Sequence, residues 1–123
     1  MGITVYFDTY AFYELIMGNE AYKEFRTGYA IITTKMNLME LFYGLILKFN
    51  EEIADRYYDQ FIQCTVDIDD KTIKEAMHFR KKYKDRKLSY IDCLGYTISL
   101  KMGVPFVTGD QQFQDMINVR FIK

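Results

Sequence analysis

Histidine occurs once in this sequence, at position 78, and cysteine twice, at positions 64 and 93. A structural zinc site takes four nitrogen or sulfur ligands at short, regular spacings, so that class of centre is excluded. The two isolated cysteines read as reduced, buried thiols of a cytoplasmic protein. No apolar stretch approaches the ~20 residues of a membrane span. No basic segment followed by a small-residue cleavage site opens the chain, so no secretory signal is expected. One proline and seven glycines are scattered as punctuation, without repeats, low-complexity segments or a linker. Basic residues number 16 against 17 acidic ones, a net charge of -1, so the basic excess of a typical nucleic-acid-binding domain is missing. That balance still admits a nuclease that grips its substrate through metal ions and one local basic patch. What the chain has is apolar and aromatic weight: half of its 123 residues are hydrophobic, with 11 tyrosines and 10 phenylalanines. Such a chain folds as one domain and buries about two thirds of its unfolded surface.

Short runs of β-branched and aromatic residues alternate with helical patterns. Strands are expected at residues 3–7, 30–33, 64–67, 105–108 and 118–122. Helices are expected at 9–17 and 19–26, broken at Gly18-Asn19, from a cap at Thr34 to about 49, and at 51–63, 70–84, 90–102 and 111–116. This alternation predicts a mostly parallel sheet covered on both faces. Right-handed crossovers bring strand C-termini and the following helix N-termini to one edge, where open α/β sheets bind ligands.

Four acidic residues fall at that edge, each expected where a strand gives way to a helix. Asp8 ends Ile3-Thr4-Val5-Tyr6-Phe7, Asp110 ends Pro105-Phe106-Val107-Thr108-Gly109, Asp92 stands in the first turn of a helix, and Glu40 lies a turn and a half into another. Singly, each aspartate has two readings, a ligand or a helix cap. Ser89-x-x-Asp92 fits a capping box with Asp in place of the usual Glu or Gln. Glu40 resists the cap reading. Its neighbours Leu38, Met39, Leu41 and Phe42 mark a buried helix, and a buried, unpaired carboxylate is costly and tends to take up a proton. Gly44, one turn on, removes side-chain bulk at a cost of about 1 kcal/mol relative to Ala and leaves room for something to approach. The other reading of Glu40 is a head that reaches solvent at the helix edge. Together, four carboxylates at one edge repel one another unless a cation sits between them. Oxygen-only donors select Mg2+ or Mn2+, which points to metal-dependent phosphate chemistry. His78 sits mid-helix and reads as structural or solvated.

The segments Phe7-Asp8-Thr9, Asn37-Leu38-Met39-Glu40-Leu41 with Gly44, Leu88-Ser89-Tyr90-Ile91-Asp92 and Val107-Thr108-Gly109-Asp110-Gln111-Gln112-Phe113 occur in this order over nearly the whole chain. In them the chain resembles PIN-domain ribonucleases, and its size is similar to that of the VapC-type toxins of toxin–antitoxin pairs. The resemblance implies one domain over residues 1–123, a PIN-like three-layer α/β/α sandwich with a central, mostly parallel sheet of four to five strands. It implies that Asp8, Glu40, Asp92 and Asp110 hold Mg2+ or Mn2+ and hydrolyse single-stranded RNA, with Thr9 and Thr108 in support. It further implies a homodimer and an antitoxin partner.

A basic run, Lys81-Lys82-Tyr83-Lys84-Asp85-Arg86-Lys87, leads into Ser89. Lys84, Arg86 and Lys87 are candidates for RNA phosphates, with Tyr83 or Tyr90 stacking on a base. The other reading is a solvated helix end whose lysines suit the helix dipole. Asp115 is either a further acid of the site or a solvated helix end. The aromatic and methionine residues of 10–17 and 39–62 belong to the core or to a face for a second copy or an antitoxin. An aspartyl phosphatase favours a second acid two residues after the nucleophile, and position 10 is Tyr. A phospho-receiver wants an acid pair after its first strand and a late lysine, which Phe7-Asp8 and Val107-Thr108 do not supply. A PIN-fold binding module without catalysis and an RNA-processing nuclease without an antitoxin stay open.

Overall fold

In the computed structural model, which describes residues 2–123, four short strands lie parallel: β1 (Ile3–Phe7), β2 (Tyr29–Ile32), β3 (Phe106–Thr108) and β4 (Val119–Phe121). Their order is β2-β1-β3-β4. The α-helices are α1 (Thr9–Ile16), α2 (Lys35–Lys48), α3 (Glu51–Phe61), α4 (Asp70–Lys82) and α5 (Tyr90–Met102). Alternation of side chains along each strand builds the layers. Val5, Phe7 and Val107 point to one face, into a cluster with Ala11 and Phe12 of α1, Leu38, Leu41 and Leu45 of α2, and Ala54 and Phe61 of α3. Tyr6 and Phe106 point to the other, against Ala76 of α4 and Cys93, Tyr96 and Ile98 of α5. Both faces are covered, so β1 and β3 read as nearly continuous apolar runs. The result is the expected three-layer α/β/α sandwich. Cys93 is buried, Cys64 is half-buried, and both are free thiols.

Helix starts are set locally. Asp8, Thr34, Asn50 and Asp69 each accept a backbone N–H three residues on, and Ser89 with Asp92 closes a capping box. The cap at Thr34 explains why the strand expected at 64–67 does not form. The chain is drawn into α2 after Thr33, so Thr65 finds only a single parallel bridge, to Thr33. The sheet of the described residues therefore has four strands. The helix expected at 111–116 stops after one 3-10 turn, Gln111–Phe113, because Phe113 sinks into the core and the chain must return to β4. Segment 19–26 is a 3-10 turn, Glu20–Arg26, whose buried Tyr22 and Phe25 are three apart and so share one side of a three-residue turn.

One expectation about the edge needs correction. Asp92 does not follow a strand, since α5 follows α4. The N-terminus of α5 reaches the C-terminal edge of the sheet because α5 feeds back into β3. Between β1 and β3 the direction of strand addition reverses, and this is the crevice where open parallel sheets bind ligands.

Candidate active site

Asp8 lies directly after β1, at that crevice, and is only 3% exposed. Its Oδ1 accepts the Ala11 backbone N–H at 2.8 Å, and its Oδ2 accepts the hydroxyl of Thr108 on β3. The register Phe7 to Val107 puts Thr108 beside Asp8. Thr108 Oγ1 in turn accepts the Asp110 N–H at 3.0 Å, and Asp110 Oδ1 accepts the Gln112 N–H at 2.9 Å. Asp92 Oδ2 accepts the Ser89 N–H at 3.0 Å. Glu40, half-buried on α2, accepts the Thr9 hydroxyl on Oε1 at 2.7 Å. All four acids and Thr9 line one cleft of about 720 Å³. The choice between cap and ligand dissolves here. Each of Asp92, Asp110 and Glu40 uses one oxygen to fix its orientation, and its second oxygen carries no hydrogen bond among the described residues.

Charge is crowded in this cleft. Burial pushes the Asp8 carboxyl up to about 7, and the charges of Asp92 and Asp110 add to the rise against the bonds from Thr108 and Ala11. Burial also raises Asp92, with Asp110 and Glu40 adding to it. A cation reverses both penalties, because it favours the charged form of every carboxylate around it. Among the described residues, no three Asp, Glu, His or Cys side chains form a ready-made cage for a bare ion. Mg2+ does not require one: it keeps several waters and is held through one or two carboxylates plus substrate phosphates. The donor set is all oxygen, three of its members present an uncommitted oxygen, and the hollow is wide enough for a hydrated ion. The residues fit Mg2+ or Mn2+.

Several roles are not evident from the sequence pattern. Asn37, buried in α2 one turn before Glu40, accepts the Tyr6 hydroxyl at 2.6 Å and the Thr34 hydroxyl at 2.8 Å, and donates from Nδ2 to Thr9 Oγ1 at 3.2 Å. Thr9 then donates to Glu40, so a directional chain of hydroxyl and amide groups ends on the carboxylate. The one sequence signal was a polar residue at helical spacing from Glu40 in an apolar helix. Gly44 does make room, but for Tyr13: a Cβ there would stand 1.3 Å from the Tyr13 hydroxyl oxygen. Gly109 is hemmed in by main chain as well, since a Cβ would meet the Tyr10 ring at 2.2 Å and the Ile122 carbonyl oxygen at 2.6 Å.

The basic run is not part of the cleft wall. Arg86 makes a bidentate pair with Asp115, at 2.7 and 3.0 Å, and donates to the Gln112 carbonyl at 2.7 Å. Its guanidinium thus ties the loop before Asp92 to the turn after Asp110. Asp115 is this partner, with its own carboxyl held below the usual range by Arg86. Lys84 and Lys87 are exposed, as is His78 on α4.

The site and sheet define an acidic crevice at the switch point of a small parallel α/β sandwich. The PIN domain model matches residues 5–118, and the chain belongs to the PIN domain family. Its fold is shared with VapC20 of Mycobacterium tuberculosis, a sarcin–ricin loop cleaving toxin (15% identity, 94% of this chain and 98% of that one, TM-score 0.77). A toxin–antitoxin complex from Klebsiella pneumoniae is similar as well (17% identity, 94% and 95% coverage, TM-score 0.74). So is VapBC2 of Rickettsia felis, bound to a DNA fragment from its promoter (17% identity, 98% coverage of both chains, TM-score 0.69). No curated protein sequence matches the chain.

Proposed function

We propose that this PIN-domain protein is a metal-dependent endoribonuclease of single-stranded RNA and the toxin of a toxin–antitoxin pair. The observation that carries the reading is the convergence of Asp8, Glu40, Asp92 and Asp110, from four separate segments, on one cleft at the sheet's switch point. Asp92, Asp110 and Glu40 would hold Mg2+ or Mn2+ through their uncommitted oxygens, with Asp8 beneath them. When bound, the ion supplies a hydroxide equivalent near neutral pH and stabilises charge on the transferring phosphate. The chain's own contribution is positional. Thr108 joins Asp8 to the Asp110 backbone, the capping box fixes Asp92, and the Asn37–Thr9 chain aims Glu40. Attack by water requires no 2′-hydroxyl nucleophile, and with the P–O3′ bond breaking the products carry 5′-phosphate and 3′-hydroxyl ends.

Lys84 and Lys87, exposed beside α5, are proposed to steer RNA phosphates, with Tyr90, 62% exposed, as a stacking surface. The toxin reading draws on relatives of like fold that are toxins or toxin–antitoxin complexes. An antitoxin partner, a homodimer and a cytoplasmic location belong to it. The exposed Met39, Tyr43 and Leu47 on α2 offer apolar surface for such contacts. No helix among the described residues is long and apolar enough to cross a membrane. A second reading, a PIN-fold binding module without catalysis, draws on the lack of a ready-made three-acid cage.

One experiment separates them. Asp8→Asn and Asp92→Asn proteins are assayed against unstructured RNA with Mn2+ or Mg2+. We expect cleavage to fall at least about a hundredfold while the folded circular-dichroism spectrum is kept, since a general electrostatic or acid–base group contributes on that order. Cleavage at the wild-type rate by both variants would remove the site, and an inactive wild type would favour the binding module.

A further inference from the structure

The acidic cleft continues past Glu40. Tyr13 and Gly44 wall it, and the same two residues wall a second hollow of about 350 Å³ that is also lined by Glu14, Met17 and Lys48. The ridge between them exists because Gly44 has no side chain: the Tyr13 hydroxyl sits 1.3 Å from where a Cβ would be. That hydroxyl makes no hydrogen bond to any described residue, yet no buried side-chain polar atom among the described residues lacks a partner. It is therefore not wholly buried, and Tyr13 lines both hollows. A tyrosine phenol carries its proton at neutral pH, so this hydroxyl is able to donate. Lys48, in the last turn of α2, is exposed and has no ion-pair partner among the described residues. On the near side of the ridge Tyr43 presents a ring that is 65% exposed on the cleft rim.

A strand that leaves the acidic cleft in this direction meets an open aromatic face, then a neutral donor, then a cation. Glu14, the carboxylate of the second hollow, is engaged by the Asn19 amide at 3.0 Å. The acids of the first cleft repel an acidic peptide, whereas a polyanion carried in with metal ions is matched there and meets Lys48 beyond. We propose that the second hollow is a nucleotide subsite adjoining the catalytic cleft, in which the Tyr13 hydroxyl donates to a backbone oxygen of single-stranded RNA and Lys48 takes the next phosphate. The inference rests on the nuclease reading for its substrate class, and it names binding residues that reading does not require.

The test is fluorescence anisotropy of a short, fluorescein-labelled oligoribonucleotide of mixed sequence, with Mg2+ present and Asp92→Asn as the parent protein to suspend hydrolysis. Tyr13→Phe keeps the ring over Gly44 and removes only the oxygen. It is expected to weaken binding by about threefold to tenfold, the loss of one hydrogen bond. Lys48→Gln is expected to weaken binding and to reduce the slope of log affinity against log salt by about 0.7, one phosphate contact on a single strand. Lys48→Arg is expected to restore both. Lys48 is on the surface, so its variants report even if Tyr13→Phe is unstable. Parental affinity and salt slope in Tyr13→Phe and Lys48→Gln would overturn the subsite. Cleavage by the wild type alongside that result would leave the nuclease reading standing. RNA binding that depends on Tyr13 and Lys48, in a wild-type protein that cleaves nothing, would do the reverse.

Discussion

Asp8 holds two roles that pull its chemistry in opposite directions. As the cap of α1 and the partner of Thr108 it is wedged between strand ends, 3% exposed, and burial pushes its carboxyl from 3.8 up to about 7. Between those values the folded protein keeps a proton that the unfolded chain has released. Its contribution therefore makes the protein less stable as pH rises from about 4 to about 7, with no further change above. The penalty is on the order of a few kcal/mol. Urea unfolding in EDTA across this range is expected to show wild-type stability falling relative to Asp8→Asn, whose amide has no charge to bury. Parallel pH profiles for the two proteins would mean that Asp8 is not desolvated in solution. The same crowding supports the proposed cation site: the charge that costs stability in the folded protein is the charge a divalent ion would reward.

Between elements, close approach is permitted by missing side chains, and the two glycines of the cleft differ in what they hold back. At Gly109 a methyl group would meet the Tyr10 ring and the Ile122 carbonyl oxygen, and the second is main chain just beyond β4. That obstacle cannot turn aside, so Gly109→Ala is expected to cost about 1–3 kcal/mol, as overpacking does. At Gly44 the obstacle is only the far end of Tyr13, and Ala gains about 1 kcal/mol of helix propensity. Gly44→Ala is expected to unfold near the wild-type denaturant midpoint. Equal destabilisation at both positions would contradict this account. The same contrast runs through the ion pairs. Arg86 and Asp115 lie 29 residues apart, yet their paired bonds hold the loop before α5 against the turn after β3, the two segments that present Asp92 and Asp110.

For the molecule as a whole, the sheet order decides where the acidic cleft lies. β1 has β2 on one side and β3 on the other, so the ends of β1 and β3 open a crevice with α2 and α5 at its flanks. A ligand that binds only this folded arrangement stabilises it by mass action, by ~2.7 kcal/mol at a hundred times its dissociation constant. Mn2+ is thus expected to raise the melting temperature of the wild-type protein, more so at pH 8 than at pH 5, where Asp8 holds its proton. The gain should shrink in Asp92→Asn. A melting temperature indifferent to Mn2+ at both pH values would argue that the cleft takes no ion.

Much of this protein was readable in the order of its residues because the responsible forces act between near neighbours. Asp8, Thr34 and Ser89 begin helices by bonding to an N–H three residues away, and the apolar runs of β1 and β3 announce strands covered on both faces. Asp8, Asp92 and Asp110 stood out for the same reason, each set beside a local boundary, and Glu40 stood out against the apolar residues that adjoin it. Other features depend on partners that adjacency cannot specify. Thr65 finds one bridge instead of a strand because α2 claims the chain first, Arg86 meets Asp115 rather than standing free for a phosphate, and Asn37 aims Glu40 through a threonine 28 residues away. Tyr13 crosses α2 at its one glycine only because two helices pack there. Such contacts are settled when the chain closes its long loops and packs both faces of the sheet at once. Only then do four carboxylates, three of them readable as caps, come to share one hollow and one another's charge.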